Sequence, residues 1–175
     1  IVFGDWSSDV CSSDLRWLDQ HLELCDALLE ACAGRCIVGM PDLIENLDTL
    51  AALRGSQELL MDLVERPEAV ERRVWEINDA FFAAFDLFYQ RLSKQPGGGN
   101  AFFFNIWSPG RTAKVQCDIS CMISPGMFRR FVAPAMAYQC RRLEYSMYQL
   151  DRSEEHKSEI QSPNTSAYAV FCLKK

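Results

Sequence analysis

The sequence predicts an α/β fold that forms part of a β/α barrel. Between Arg16 and Asp151, segments with helical apolar spacing alternate with short runs typical of strands. Strands that alternate with helices favour a parallel sheet covered by helices. A complete β/α barrel needs about 250 residues, and residues 16–151 are little more than half of that. We therefore expect a partial TIM barrel flanked by non-native polar tails.

Both ends of the chain look like translated sequencing-library adapter. VCSSDL at residues 10–15 and RSEEH at residues 152–156 can be encoded by opposite strands of one DNA sequence. Segments foreign to the domain are set aside before fold reasoning. We predict that residues 1–15 and 152–175 are adapter-derived tails and that residues 16–151 belong to the domain. Accidental cuts at both ends would also explain a partial barrel.

Helical periodicity dominates the first half of the domain. Residues 17–33 repeat apolar side chains at helical spacing, and CIVGM at residues 36–40 follows as a short buried strand. A loop leads into further helix, and residues 56–66 form a helix that ends before Pro67. Residues 67–92 give the strongest helical pattern, with proline in the first turn, where its missing N–H costs nothing.

Strands and one long helix are predicted in the second half. AFFFNIW (101–107), SPGR and TAKVQCDIS (112–120) indicate strand, turn and strand. Ser124 and Pro125 are typical of an N-cap and first helical position. The helix runs over residues 127–144, and Pro134 within it must kink or interrupt it. YSMYQL (145–150) alternates and predicts a final strand.

Composition excludes several classes of partner. The chain has 18 basic and 24 acidic residues, a net charge of −6, so neither nucleic acid nor an anionic membrane surface is expected. The apolar runs are too short to span a bilayer, and no secretory signal is visible, so we expect a cytoplasmic protein. Six cysteines lie outside the tails and are expected to be reduced: Cys25, Cys32, Cys36, Cys117, Cys121 and Cys140.

Candidate site residues follow from one position rule. In a β/α barrel the active residues lie at the carboxyl ends of strands. The predicted strands place Asp42, Asp118, Gln149 and Asp151 at such ends. Each has a structural alternative, because aspartate at the end of a strand is often a helix cap or turn former.

Three segments resemble the uroporphyrinogen decarboxylase-like superfamily. They are VGMPDLIENLDTLAALRGSQELLMDLVERPEAV from Val38, VQCDISCMISPGMFRRFVAPAM from Val115 and LEYSMYQLD from Leu143. The pattern ISP-x-x-F-x-x-F-x-x-P is the most specific part. The resemblance implies a β/α barrel with its site at the barrel mouth, and a small-molecule substrate. It adds Trp107 to the substrate-binding candidates Asp42 and Gln149, and it supports Asp118 and Asp151 as catalytic.

The resemblance leaves the reaction open. A decarboxylase of tetrapyrroles or related acids would need no cofactor and no metal. A cobamide-dependent or thiol methyltransferase would need zinc and a cobamide partner, and Gln149 and Asp151 stand where a His-x-Cys zinc pair would lie. A third possibility is a non-functional chimeric reading frame that aggregates, since a partial barrel leaves strand edges unpaired. For the truncated chain as given this is the favoured interpretation, and the chain itself is expected to be inactive. The oligomeric state is not predicted.

Overall fold

The structure is a computed structural model that describes residues 16–102 and 104–149, together with the backbone of residues 171–174. Its helices are α1 (Arg16–Cys32), α2 (Asn46–Arg54), α3 (Ser56–Glu65), α4 (Pro67–Leu92), α5 (Pro125–Met127) and α6 (Ala133–Arg142). A 3-10 helix (Asp118–Met122) precedes α5, and a π-helical segment (Phe128–Val132) joins α5 to α6. Its strands are β1 (Asn100–Phe102), β2 (Ile106–Ser108), β3 (Thr112–Gln116), β4 (Tyr145–Gln149) and β5 (Phe171–Lys174). Within these residues, no helix is both long and apolar enough to cross a membrane.

The described strands form two small sheets. β3 and β4 are parallel, with Thr112 opposite Tyr145 and Gln116 opposite Gln149. β5 pairs antiparallel with β4, and β1 and β2 form an antiparallel pair. The predicted mixture of α and β is therefore confirmed, and β3 and β4 provide its parallel component. The described strands do not close into a barrel. β5 lies in the segment predicted to be an adapter-derived tail, and that origin stays a prediction.

Two predicted strands differ from the structure. Residues 36–40 form only an isolated parallel bridge, between Gly39 and Ala101. The single strand predicted over residues 101–107 is wrong, because the chain turns back at Asn105 and gives β1 and β2. Asn105 has φ +56°, a left-handed conformation that asparagine tolerates better than most residues. The strand propensity on both sides of this turn hid it in the sequence.

α4 connects the two hydrophobic clusters of the domain. Its first turns bury Val70 and Val74 with residues of α2, α3 and the π-helical segment. Its later turns bury Phe81 and Phe85 against α1, β3 and β4. The helix predicted over residues 67–92 is confirmed, and its buried face also includes Asn78 and Phe82. α4 therefore supports the sheet and the crossover between β3 and β4 at once.

The helix start predicted at Ser124 is confirmed and provides a test of local stability. The Ser124 hydroxyl accepts a hydrogen bond from the backbone N–H of Met127 at 3.2 Å, and Pro125 opens the helix. We expect Ser124→Ala to lower the free energy of unfolding by about 1 kcal/mol, and Ser124→Gly by only a few tenths. Denaturant titration of both variants measures this difference. Equal losses would contradict a capping role for the hydroxyl.

Pro134 interrupts the long helix as predicted. The segment before it has π-helical hydrogen bonding over Phe128–Val132, and α6 begins at Ala133 with proline in its first turn. Proline has no N–H and its ring clashes with the preceding turn. Widening that turn is one known way for a helix to accommodate such a break. The long helix predicted over residues 127–144 is therefore three shorter segments, ending at Arg142.

Cys32 and Cys36 correct the prediction that the cysteines outside the tails are reduced. The structure joins them in a disulfide with a Cα–Cα distance of 5.5 Å. Cys32 ends α1, and Ala33 and Gly34 follow with φ +46° and +75°. This left-handed reversal is a common way to end a helix, and it returns the chain so that Cys36 meets Cys32. Cys25, Cys117, Cys121 and Cys140 are free thiols.

Candidate functional site at the carboxyl ends of β3 and β4

Polar side chains gather where the parallel strands β3 and β4 end. Gln116 and Gln149 are the last residues of these strands and are opposite each other in the register. Cys117 and Asp118 follow β3 directly. Ligands of α/β proteins bind outside the carboxyl ends of parallel strands. The structure thus brings Asp118 and Gln149, two of the predicted site residues, to one edge of the sheet.

Asp48 fixes the backbone that follows β3. It lies in the first turn of α2, and its carboxylate accepts hydrogen bonds from the N–H groups of Asp118 at 2.8 Å and Ile119 at 3.0 Å. Hydrogen bonds from backbone N–H to a carboxylate are stronger than those between neutral groups. Because both N–H groups begin the 3-10 helix, Asp48 caps that helix from a position 70 residues earlier in the chain.

Glu45 binds the backbone of the last residue of β3 at the same edge of the sheet. Its side chain is completely buried, and Oε1 accepts the backbone N–H of Gln116 at 2.8 Å. Burial raises the pKa of this carboxyl well above its ordinary value, although the Gln116 N–H and the Lys114 ammonium oppose the shift. Oε2 has no hydrogen-bond partner among the residues that the structure describes. A buried carboxylate in this position is costly, so burial favours the neutral form of Glu45.

The Asp118 carboxylate lies on the solvent side of this support. Asp118 is exposed, and the Gln116 amide donates to its Oδ2 at 3.2 Å. The same amide lies 3.5 Å from Oδ2 of Asp48. Gln116 thus bridges the carboxylate that fixes the backbone and the one that faces solvent. An exposed carboxylate on a fixed backbone can accept N–H groups of a ligand or exchange a proton with it.

Asp42 is engaged in an ion pair with a buried lysine. The Lys114 ammonium lies 2.6 Å from Oδ1 of Asp42, and the lysine side chain is only 6% exposed, against 39% for the aspartate. Lys114 is in the middle of β3. Removing one partner of such a pair would leave a buried charge uncompensated. The predicted substrate-binding residue Asp42 therefore neutralises Lys114.

Trp107, another predicted site residue, does not join this cluster. The Trp107 indole N–H donates to the carbonyl of Gly98 at 3.0 Å, in the loop that precedes β1. The Asn100 amide, at the start of β1, exchanges hydrogen bonds with the backbone of Thr112, the first residue of β3. Trp107 is thus held near the amino ends of β1 and β3. Asp151 lies outside the described residues.

Cys117 and Tyr148 provide the apolar side of the site. Burial raises the pKa of the Cys117 thiol, and the nearby Asp48 carboxylate raises it further. The pKa of Tyr148 is raised as well. Burial is the largest cause, Cys117 adds to the shift, and a hydrogen bond with Ser120 opposes it. Cys117 is therefore a protonated thiol, whereas zinc ligation and nucleophilic attack both need a thiolate. We found no group of three His, Cys, Asp or Glu residues suited to a metal in the part of the chain that the structure describes.

Sequence reasoning did not identify the contacts that support Asp118. Glu45 and Asp48 lie three positions apart in PDLIENLD, a spacing typical of acids at the start of a helix. That pattern predicts N-terminal acids for α2, but it says nothing about their partners in β3. Gln116 and Lys114 are polar residues within a buried strand, which is itself a signal of a site or of a buried network.

Comparison with protein-family models, with curated proteins and with solved structures gives no significant match for this chain.

Proposed function

We propose that residues 16–151 come from a cytoplasmic enzyme of the uroporphyrinogen decarboxylase-like superfamily that acts on a tetrapyrrole or related carboxylic acid. The proposal includes a β/α barrel of which β3, β4 and their crossover are a part. Its main support is the position of Asp118 at the carboxyl end of a parallel strand. The backbone there is fixed because the N–H groups of Asp118 and Ile119 donate to the Asp48 carboxylate. Ligands bind at such strand ends in α/β barrels.

In this proposal Asp118 orients the substrate. The pyrrole rings of a tetrapyrrole present N–H groups, and an exposed carboxylate is a strong acceptor for them. Gln116 donates to Oδ2 of Asp118, which limits its rotation. Asp151 is proposed to act on the same substrate, and Gln149 to bind it beside Gln116. Trp107 and Asp42 are not included, because Trp107 bonds to Gly98 and Asp42 neutralises Lys114.

The described residues do not fit the zinc that a methyltransferase would require. Gln149 supplies a neutral amide at the end of β4, which is a poor zinc ligand compared with imidazole or thiolate. Burial raises the pKa of Cys117, and a raised pKa disfavours the thiolate that zinc binds. The decarboxylase proposal therefore needs no cofactor from this site, and a cobamide partner is not part of it.

Ligand binding by the full chain tests the proposal. We expect uroporphyrinogen, kept reduced under argon, to bind in equilibrium dialysis, and Asp118→Asn to weaken binding by about tenfold, the value of one charge-assisted hydrogen bond. Asp79→Asn, which makes the same change at an exposed position of α4, should leave affinity unchanged. Mellitate has carboxylates but no N–H, so Asp118→Asn should not weaken its binding.

Two outcomes would contradict the proposed function. One is a folded chain that binds uroporphyrinogen no better than mellitate. The other is equal affinity in the wild type and in Asp118→Asn, which would show that the tetrapyrrole does not meet Asp118. Stoichiometric zinc in the purified chain, by metal analysis, would instead favour the methyltransferase alternative, in which zinc activates a thiol as thiolate.

A further inference from the structure

The Cys32–Cys36 disulfide lies in a cleft that shares no lining residue with the carboxylate site. The cleft has a volume of about 250 Å³ and is lined by both cysteines and by Asp26, Arg91, Lys94 and Gln95. Cys36 is exposed and Cys32 is half-buried. A small molecule that enters this cleft therefore meets a disulfide and two cationic side chains together.

Cations outnumber anions around the disulfide. Arg91 donates to Asp26 at 3.1 Å and to the carbonyl of Leu87 at 3.0 Å. Lys94 is exposed and borders the same cleft. Arg35, between the two cysteines, donates to the carbonyl groups of Ala31 at 2.9 Å and Cys32 at 3.3 Å. Two cations thus line the cleft, Arg35 lies between the two cysteines in the chain, and Asp26 offsets Arg91.

We propose that Cys32–Cys36 is a thiol-exchange site for small anionic thiols, independent of the function proposed above. The incoming thiolate attacks Sγ of Cys36, the S–S bond breaks, and Cys32 leaves as a thiolate. A second thiolate attacks the mixed disulfide on Cys36, which releases the oxidised small disulfide and the Cys36 thiolate. Two small thiols are oxidised and one protein disulfide is reduced, so the two electrons balance. The released thiolates take protons from water.

Positive charge favours both parts of this exchange. Arg91 and Lys94 attract the acid group of an anionic thiol, and nearby cations stabilise the cysteine thiolates that form. The fold does not depend on the S–S bond alone at this point. The Gln95 side chain accepts from the N–H of Val38 at 2.7 Å and donates to its carbonyl at 2.9 Å. This clamp holds the chain after Cys36 when the disulfide opens.

The experiment compares three thiols of equal length and different charge with the full chain. They are 2-mercaptoethanesulfonate, 2-mercaptoethanol and cysteamine. Each rate constant for reduction of the disulfide is divided by the fraction of that thiol present as thiolate. Trypsin cleaves after Arg16, Arg35 and Arg54, so an intact disulfide joins peptides 17–35 and 36–54, and reduction separates them. The exchange reaction is quenched with acid, the free thiols are alkylated, and the tryptic peptides are identified by mass spectrometry. We expect the sulfonate thiolate to react on the order of fivefold faster than cysteamine, as expected for close charges near a surface.

Four variants identify the source of that preference. Lys94→Gln should reduce the sulfonate-to-cysteamine ratio by about half or more, and Lys94→Arg should retain it. Asp26→Asn removes the one acidic side chain among the described residues that line the cleft and should raise the ratio. Arg129→Gln makes the same charge change as Lys94→Gln at an exposed site on the π-helical segment, and should not alter the ratio.

Three results would overturn the proposal. Separate tryptic peptides from the untreated chain would show that the disulfide does not form. Equal rate constants for the three thiolates would show that the cleft does not select by charge. A similar change of the ratio in Arg129→Gln and Lys94→Gln would assign the preference to net charge. None of these results bears on uroporphyrinogen binding at Asp118, so the two proposals fail separately.

Discussion

Replacing Gly99 by alanine is expected to lower the free energy of unfolding by about 3 kcal/mol or more. Gly99 has φ +64°, and a Cβ there would overlap the carbonyl oxygen of Ser108 and lie 2.7–2.8 Å from backbone atoms of Pro109. These neighbours are backbone, so they cannot rotate away. Ser108 also ends β2, opposite Asn100 of β1, so any shift would distort the β1–β2 pair.

Gly98→Ala separates the steric cost from the conformational cost. Gly98 has φ +66°, nearly the same as Gly99, but a Cβ there would meet nothing within 4 Å. We expect this variant to lose only the left-handed penalty, about 1–2 kcal/mol. Denaturant unfolding of both variants measures the difference. Equal losses would contradict the close approach of Gly99 to Ser108, and a wild type without a cooperative transition would contradict the packed core described above.

The glycine loop shows which features a sequence reveals. PGGGN predicts a loop because glycine adopts positive φ easily, and the three glycines indeed have φ between +64° and +94°. The sequence does not reveal that, of these three glycines, only Gly99 lacks room for a Cβ. That contact depends on where the chain returns after β2. Local backbone conformation can thus be predicted from the sequence, while the space around each residue depends on tertiary structure.

Ser124 and Asp48 illustrate the same limit for hydrogen bonds. Both cap a helix, and Ser124 bonds to Met127, three residues ahead, within the reach of a sequence rule. Asp48 caps the 3-10 helix from 70 residues away. The rule that placed Asp118 at the end of a strand was sufficient to find the edge of the sheet. It could not find the residues from α2 that hold Asp118 there.

Charge and sulfur pairing were the least predictable features. Asp42 follows a predicted strand, as Asp118 does, yet it pairs with Lys114, because a lysine within a buried strand needs a counter-charge. Cys32 and Cys36 share the C-x-x-x-C spacing of Cys117 and Cys121, but only the first pair flanks a left-handed helix end. Identical spacings therefore give different chemistry according to the backbone between them.

Glu45→Gln is expected to make the protein more stable than the wild type at neutral pH, with a difference that grows as the pH rises above the ordinary pKa of glutamate. Burial raises the pKa of Glu45 well above its ordinary value near 4.5. Above that ordinary value the unfolded chain releases the proton while the folded chain retains it. The unfolded state therefore binds fewer protons, and wild-type stability falls as pH rises, by about 1.4 kcal/mol per pH unit, until the raised folded pKa is reached.

Glutamine removes this dependence without removing the hydrogen bond. Its amide oxygen can still accept the N–H of Gln116, which Glu45 Oε1 accepts at 2.8 Å, and it is neutral at every pH. Near pH 5 the two proteins should have similar stability, and their curves should separate as pH rises. Glu30→Gln makes the same change at an exposed position of α1 and should follow the wild type. Parallel curves for Glu45→Gln and the wild type would mean that Glu45 is ionised in the folded protein, and that Lys114, rather than burial, controls its charge.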